Sequence, residues 1–156
     1  MNNIYREPTI FTFKTKTNFP LLGLRHFTED EAWGDPHAMD YKLLYYLDSL
    51  REFIKVPIVI HCGTQGIHCK NSYHYQGKAV DCYAKGISLL AFYLAAERFS
   101  FGGIGIYPNW NNPGLHLDVR LAEDDIFPRV EPAARWGKVN DEYIALDEDF
   151  VKKFLI

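Results

Sequence analysis

Two stretches of the sequence place histidine close to a carboxylate residue. SYHYQGKAVD contains His74 and Asp81, and LHLDV contains His116 and Asp118. Two neutral imidazoles and one carboxylate make a tetrahedral zinc set that leaves the fourth position for water. Such a set leaves the ion with a net charge of about +1, which lowers the pKa of its bound water toward about 7. The residue types therefore predict one zinc ion per chain, held by His74, Asp81 and His116.

The surrounding residues indicate which elements would hold these groups. LHLDVRL alternates in residue type, which predicts a strand with His116 and Asp118 on the same side. KAVDCY predicts a short strand that carries Asp81, and the segment from Gly63 to about Tyr75 predicts a loop that carries His74. The spacing taken alone also fits a hydrogen-bonded histidine beside two surface acids.

The rest of the chain mixes helices with separated strands. Asp35-Pro36 predicts the start of a helix, with one apolar face, that ends before Pro57. The further elements are predicted, in order, as a strand over PIVIHC, a helix over about 87–99, strands over GGIGIY and EYIAL, and a helix over DEDFVKKFLI. Helices and strands without strict alternation predict an α+β fold, in one domain over residues 1–156.

Composition limits the partners and the compartment. The net charge of −3 and pI near 6.0 give no basic surface, so nucleic acid is not an expected partner. The N-terminal residues lack the apolar run of a secretory signal, and no stretch is long enough to span a bilayer. We therefore expect synthesis in the cytoplasm and action outside it after lysis, with a partner, or inside a virion. Cys62, Cys69 and Cys82 are either three reduced thiols or one bridge and a spare thiol.

Longer motifs carry a resemblance to a known family. The run SYHYQGKAVD, Ser72 to Asp81, resembles the signature of the M15 peptidases, the group of D-alanyl-D-alanine carboxypeptidases and murein endopeptidases. HLDVR resembles the second metal motif of that group. WGDP, LDSLRE, PIVI, GGIGIYP, ARWGKV and EYIAL also resemble small phage and prophage M15 proteins, in the same order. The resemblance extends from about Asn18 to Leu146.

The resemblance implies a fold, a metal and a substrate. The implied fold is the mainly antiparallel sheet with flanking helices shared by D-Ala-D-Ala metallopeptidases and the hedgehog signalling domain. His74, Asp81 and His116 correspond to the zinc ligands, and the implied reaction is hydrolysis of an amide bond in a peptidoglycan stem peptide. Two alternatives stay open: a zinc-binding module without catalysis, as in hedgehog-like relatives, and a phage tail-associated structural protein whose partners are virion proteins.

The position of the general base is one departure from the family pattern. Many M15 enzymes have a general base two or three residues before the last zinc ligand, where this chain has Gly114 and Pro113. Asp118 is therefore predicted as the base, or else as a group that orients a ligand imidazole. His68 is the remaining option.

Substrate contacts are a second departure. Cys62-Gly63-Thr64-Gln65 stands where relatives usually read Ser-Gly-Tyr-Arg. Gln65 is predicted to contact substrate, but it cannot pair with a carboxylate as Arg does, which favours an endopeptidase over a carboxypeptidase. Arg120 could replace that cation, or form an ion pair with Asp118. Tyr107 could shape the groove or steady an oxyanion, or serve only in ring packing.

The pairs His61-Cys62 and His68-Cys69 recur seven residues apart. Thiolate and imidazole both suit zinc, so these four residues could form a second, structural metal site. For His68, a solvated loop side chain is the alternative.

Overall fold

The structure is a computed structural model that describes residues 23–120 and 133–156. The helices in these ranges are α1 (Tyr41–Ile54), α2 (Leu89–Ala96) and α3 (Glu148–Phe154). The strands are β1 (Ile58–Cys62), β2 (Ala79–Ala84), β3 (Gly103–Tyr107), β4 (Gly114–Asp118), β5 (Ala134–Val139) and β6 (Glu142–Ile144). Short 3-10 turns cover Pro36–Ala38 and Tyr73–Gln76. No helix in the described ranges has the length and apolar character to cross a membrane.

The six strands form one sheet in the order β1-β2-β4-β3-β5-β6. Every neighbouring pair is antiparallel except β3 and β5, which are parallel. This arrangement confirms the predicted α+β class with a mainly antiparallel sheet.

Alternation along the strands separates a core face from a site face. Val80 and Cys82 of β2 and Leu115 and Leu117 of β4 are fully buried. They share one hydrophobic cluster with the buried leucines of α1, which are Leu43, Leu44, Leu47 and Leu50. Successive strand residues point to opposite faces, so the residues between the core positions face away from this cluster. Asp81 and the residues of β4 that alternate with its leucines lie on that second face.

The predicted start of the first helix is wrong by several residues. Asp35 does act as a cap, but of the 3-10 turn Pro36–Ala38. Met39 then returns to an extended backbone, with φ −71° and ψ 138°. The α-helix begins only after Asp40, whose side chain accepts hydrogen bonds from the backbone N–H groups of the first turn. Two capping aspartates five residues apart therefore make two starts, and the sequence pattern shows only the first.

Other element bounds also differ from the predictions. α2 is shorter than predicted at both ends, and at its start Ser88 caps it, accepting a hydrogen bond from the Ala91 N–H at 3.1 Å. β4 ends at Asp118, and the predicted continuation at Leu121 lies outside the described residues. β5 was not predicted as a strand. Residues 18–22, where the family resemblance begins, also lie outside the described part. The three cysteines are free, which agrees with the first of the two thiol predictions.

Candidate metal and catalytic site

The strand register places one row of residues straight across the sheet. Cys62 of β1 lies opposite Asp81 of β2, and Asp81 lies opposite His116 of β4. His116 lies opposite Gly105 of β3, and Gly105 lies opposite Trp136 of β5. Directly opposed residues present their side chains on the same face of a sheet. The register alone therefore gathers a thiol, a carboxylate and an imidazole on one surface.

His74 reaches this row from the segment between β1 and β2. Ser72 starts the 3-10 turn by accepting a hydrogen bond from the His74 N–H at 3.3 Å, and Gly77 ends it with φ 69°. A β-carbon on Gly77 would stand 1.8 Å from the carbonyl oxygen of Ala38. Glycine is needed there both for the left-handed backbone and for the close approach.

Three donor atoms meet in a compact triangle. His74 Nε2 lies 3.2 Å from His116 Nδ1, and Asp81 Oδ1 lies 3.0 Å from His116 Nδ1 and 3.3 Å from His74 Nε2. Zinc–ligand bonds of about 2.0–2.1 Å at tetrahedral angles place ligand atoms about 3.3 Å apart. The predicted ligand set therefore has spacings that suit a zinc ion. Both histidines are buried.

The hydrogen bonds on the far side of each ring decide where its lone pair lies. His74 Nδ1 is 2.7 Å from the carbonyl oxygen of Gly63, which can only accept, so Nδ1 carries the hydrogen. His116 Nε2 is 3.1 Å from a carboxylate oxygen of Asp118, so Nε2 carries the hydrogen. The two nitrogens that face each other therefore both present lone pairs when the rings are neutral. Only a cation or an added proton between them relieves that repulsion, so the donor set fits a metal ion.

Charge in this cluster is strongly coupled. Burial opposes ionisation of Asp81, yet its contacts with the imidazoles of His116 and His74 hold the pKa of its carboxyl well below the usual range. Burial alone would lower the pKa of His116, but its bonds to Asp118 and Asp81 outweigh burial and raise that pKa. A cation and protons compete for the same lone pairs, so metal binding weakens as the pH falls.

Asp118 is fully buried behind the His116 ring. Arg120 donates to it at 2.9 Å from Nε to Oδ1 and at 2.6 Å from Nη2 to Oδ2. Burial would raise the pKa of Asp118, but the hydrogen bonds from His116 and Arg120 lower it to about 2. Asp118 contacts Nε2 of His116, whereas Asp81 contacts Nδ1. The structure thus places Asp118 where an orienting group would stand, on the side of the ring turned away from the donor triangle.

Gln65 makes its side-chain hydrogen bonds within the protein. Its Nε2 donates to the Ala32 carbonyl oxygen at 2.8 Å, and its Oε1 accepts from the Gly63 N–H at 3.0 Å. Thr64 adds a backbone bond from its N–H to the Trp33 carbonyl oxygen at 2.6 Å. The side chain predicted to contact substrate therefore ties the segment after β1 to the segment before α1.

Arg120 and Tyr107 both contact Trp136. The guanidinium carbon of Arg120 stands 5.1 Å from the ring centroids of both Tyr73 and Trp136. The Tyr107 hydroxyl accepts a hydrogen bond from Trp136 Nε1 at 3.3 Å, and its ring stacks on Trp110 with centroids 4.2 Å apart. Burial raises the pKa of Tyr107 to about 12, so this group is a neutral phenol.

Trp136 is a site residue that the sequence reasoning missed. Its ring lies 5.4 Å from that of His116, and a β-carbon on Gly105 would stand 2.5 Å from the indole. The glycine of β3 thus makes room for the tryptophan of β5. The signal was present in ARWGKV, which was recognised only as part of the family resemblance.

His68 and Cys62 adjoin the donor triangle on the His74 side. The His68 ring stacks on His74 with centroids 4.0 Å apart and planes 5° from parallel, and Cys62 Sγ lies 3.5 Å from His68 Nε2. The described part of the chain contains two groups able to hold a metal ion, His74–Asp81–His116 and Cys62–His68–His74. The predicted second site is thus only half assembled, because His61 and Cys69 belong to neither group in that part of the chain.

The sequence around the site is similar to that of a class of known peptidases. The family described as peptidoglycan L,D-endopeptidase MepK, within the M15 peptidases, matches residues 57–122. That segment contains all three predicted zinc ligands. The match confirms the resemblance to the M15 peptidases seen in the sequence.

A particular relative makes the match more specific. The protein named "Probable peptidoglycan L,D-endopeptidase MepK" from Haemophilus influenzae (strain ATCC 51907 / DSM 11121 / KW20 / Rd) is 43% identical over 115 residues. The match covers 64% of this chain and 60% of the relative, so the chain spans less than two thirds of the relative's length. No solved structure matches the chain at a significant level.

Proposed function

We propose that this protein is a zinc-dependent endopeptidase that hydrolyses an amide bond in the stem peptide of peptidoglycan. The observation that carries the proposal is the donor triangle, in which two lone-pair nitrogens and a carboxylate oxygen lie 3.0–3.3 Å apart. The family match supports peptidoglycan as the substrate, and the relative's printed name supports a bond between an L- and a D-residue.

The roles of the ligand residues follow from their hydrogen bonds. Zinc bound by His74, Asp81 and His116 would polarise a carbonyl group and acidify a water molecule. Asp81 contributes the negative charge of the set. The Gly63 carbonyl fixes the His74 ring and Asp118 fixes the His116 ring, so each presents its lone pair to the same point.

Asp118 is better suited to orient His116 than to act as the general base. Its oxygens are occupied by His116 and Arg120, it has no exposed surface, and the imidazole ring separates it from the donor triangle. We therefore assign it the second of the two roles considered from the sequence. Tyr107 is assigned a stabilising role, because its hydroxyl already accepts from Trp136 and can donate its own hydrogen to a developing oxyanion.

Two contacts favour an internal bond over a C-terminal one. A carboxypeptidase must bind the free carboxylate of its substrate, which calls for a cation near the cleaved bond. Gln65 is neutral and tied to Ala32 and Gly63, and Arg120 is already paired with Asp118. Action at the cell wall after lysis or as part of a virion, and the content of one zinc ion per chain, stay predictions.

Digestion of defined peptidoglycan fragments tests the proposal. The zinc-loaded protein is incubated with purified muropeptides, and mass spectrometry locates each new amine and carboxyl end. We expect cleavage at an internal bond between an L- and a D-residue, loss of cleavage with a chelator, and recovery on adding zinc back. His61→Ala, at an exposed position outside both candidate metal groups, serves as the control and should retain cleavage.

Two other outcomes would contradict parts of the proposal. Release of a terminal D-alanine alone would indicate a carboxypeptidase. Intact amide bonds after prolonged incubation, in a protein with a full zinc site, would indicate a binding module without catalysis.

A further inference from the structure

We propose that a groove at the end of β2 binds a side carboxylate of the peptidoglycan stem peptide, with Lys85 and Lys153 as its cationic contacts. This lysine groove lies between the end of β2, the turn that joins β3 to β4, and the C-terminal end of α3. Its volume of about 600 Å³ is in the range of small-ligand sites, about 300–1,000 Å³. The inference rests on the proposed function, because it specifies how the same substrate is held.

Strand β2 connects the donor triangle to the lysine groove. Asp81 and Tyr83 are two residues apart in this strand, so their side chains lie on the same face, and Tyr83 lines the groove. The N–H of Lys85 donates to the Pro57 carbonyl oxygen at 2.9 Å, which extends the pairing by one residue and puts Lys85 on that face too. Four residues of strand span about 13 Å, so an extended substrate would reach Lys85 within about four residues of the cleaved bond.

Gly114 leaves the way between the two places open. It precedes His116 by two residues in β4, so any side chain there would lie on the face of the donor triangle. A β-carbon at this position would stand 2.3 Å from the Cys82 carbonyl oxygen and 3.2 Å from the β-carbon of Tyr83. Glycine is therefore needed for the close packing, and the substrate meets no side chain at this point of β4.

The charge of the lysine groove is opposite to that of the whole chain. The chain carries a net charge of −3, yet no aspartate or glutamate is among the described residues that line the groove. Lys153 Nζ stands 5.1 Å from the centroid of the Phe154 ring, which holds the ammonium group at the wall. Lys152 pairs with Glu148, whereas neither Lys85 nor Lys153 forms an ion pair with a residue that the structure describes.

This chemistry suits a carboxylate on a peptide. Two ammonium groups complement an anion, and a lysine acts as a point charge that accepts several orientations of a carboxylate. Asn112 adds an amide for the peptide backbone, and Phe154 adds an apolar surface. Because the groove lies along the strand from the donor triangle, it would hold a carboxylate remote from the cleaved bond, as an endopeptidase requires.

Steady-state cleavage by the zinc-loaded protein tests the inference on two stem peptides, one with free side carboxylates and one with these groups amidated. The double variant with Lys85→Gln and Lys153→Gln should raise KM for the free peptide by about fivefold or more and leave kcat near the wild-type value. KM for the amidated peptide should change little. Lys152→Gln is the matched control on the same helix and should retain the preference of the wild type.

Calorimetric titration of both peptides into the full-length His116→Ala variant measures the preference without turnover. We expect tighter binding of the free peptide, a difference that falls with added salt and that disappears when both lysines are also replaced. Circular dichroism confirms that each variant is folded.

Three results would overturn the inference: equal affinity for the two peptides, a preference that survives replacement of both lysines, or one that is lost in Lys152→Gln. Absence of cleavage with the binding preference intact would refute the proposed function alone. Cleavage without any preference would refute the lysine groove alone.

Discussion

The two halves of the site are built in different ways. The strand half consists of Asp81, His116 and Asp118, which are placed by the pairing of β2 with β4. The loop half consists of His68 and His74, which lie in the irregular segment between β1 and β2. Backbone hydrogen bonds between the strands fix the positions of the residues in the strand half. The loop half depends on individual turns and on contacts with residues distant in sequence.

Because of this difference, substitutions in the two halves should affect different properties of the protein. Removing a side chain from the strand half leaves the backbone pairing intact, so the loss should appear in metal binding and turnover. Changing the loop half disturbs contacts such as that of Gly63, whose β-carbon would stand 2.3 Å from the Trp33 carbonyl oxygen. Such a change should appear first in the free energy of unfolding.

Asp81→Asn should have the largest effect. The amide keeps the shape of the side chain but removes the negative charge of the ligand set, so we expect turnover to fall by at least about 1000-fold, which is about 4 kcal/mol. Steady-state cleavage of a muropeptide and the zinc content of the same sample measure it. Wild-type turnover with zinc fully bound would contradict the ligand assignment.

Gly77→Ala should be the most damaging change in the loop half. The new β-carbon would have to move the Ala38 carbonyl. The φ of 69° at position 77 also strains residues other than glycine. We expect a loss of about 3 kcal/mol or more in the free energy of unfolding, measured by urea titration.

Gly86→Ala is the matched control for that variant. Gly86 has φ 89°, but a β-carbon added there would meet nothing within 4 Å, so only the backbone cost of about 1–2 kcal/mol should appear. Equal losses in the two variants would show that close approach at Gly77 is unimportant.

Asp118→Asn should have an intermediate effect, on zinc affinity. The neutral amide orients His116 less firmly and leaves Arg120 without its anion, so we expect zinc affinity to fall about 10–100-fold. Competition with a chromophoric chelator measures it. Asp48→Asn, at a buried aspartate that accepts from Arg25 on the other side of the core, should lower stability but keep the zinc affinity. Unchanged affinity in Asp118→Asn would refute the orienting role.

Removing the ion pair between Glu97 and Arg135, which lies outside both halves of the site, should have the smallest effect. Burial would raise the pKa of Glu97, but bonds from Arg135 at 2.7 and 2.9 Å and from Tyr93 lower it. A lowered folded pKa means that the stabilisation is present above the unfolded value of 4.5 and is lost as the pH falls below it. For a pair this exposed we expect less than about 1 kcal/mol.

Glu97→Gln should therefore be slightly less stable than wild type at neutral pH, and the difference should shrink as the pH is lowered below 4.5, by urea titration at each pH. A difference that grows as the pH falls would contradict the assignment.

The strand half could be read from the sequence because its placement is local. Alternation in LHLDV predicts His116 and Asp118 on one side of the strand. The structure places His116 Nε2 3.1 Å from Asp118 Oδ2. The zinc-ligand triangle needed more than alternation, because the strand that pairs with β4 is set by register. The family resemblance supplied that step.

The loop half and two elements could not be predicted because they depend on non-local contacts. The bond from Gln65 to Ala32 joins residues 33 positions apart, and no periodic pattern shows it. β5 pairs with β3 across a long separation, so Trp136 was missed. The start of α1 was misplaced because Asp35-Pro36 begins a 3-10 turn, whereas Asp40 caps the α-helix.

Zinc content of the purified protein tests the central claim most directly, measured beside His116→Ala and the His61→Ala control. We expect a zinc content of about one ion per chain in the wild type and in His61→Ala. We expect almost no zinc in His116→Ala, while its fold is retained. A wild-type protein that binds no zinc even when zinc is supplied, or a His116→Ala variant that keeps its full content, would contradict the account.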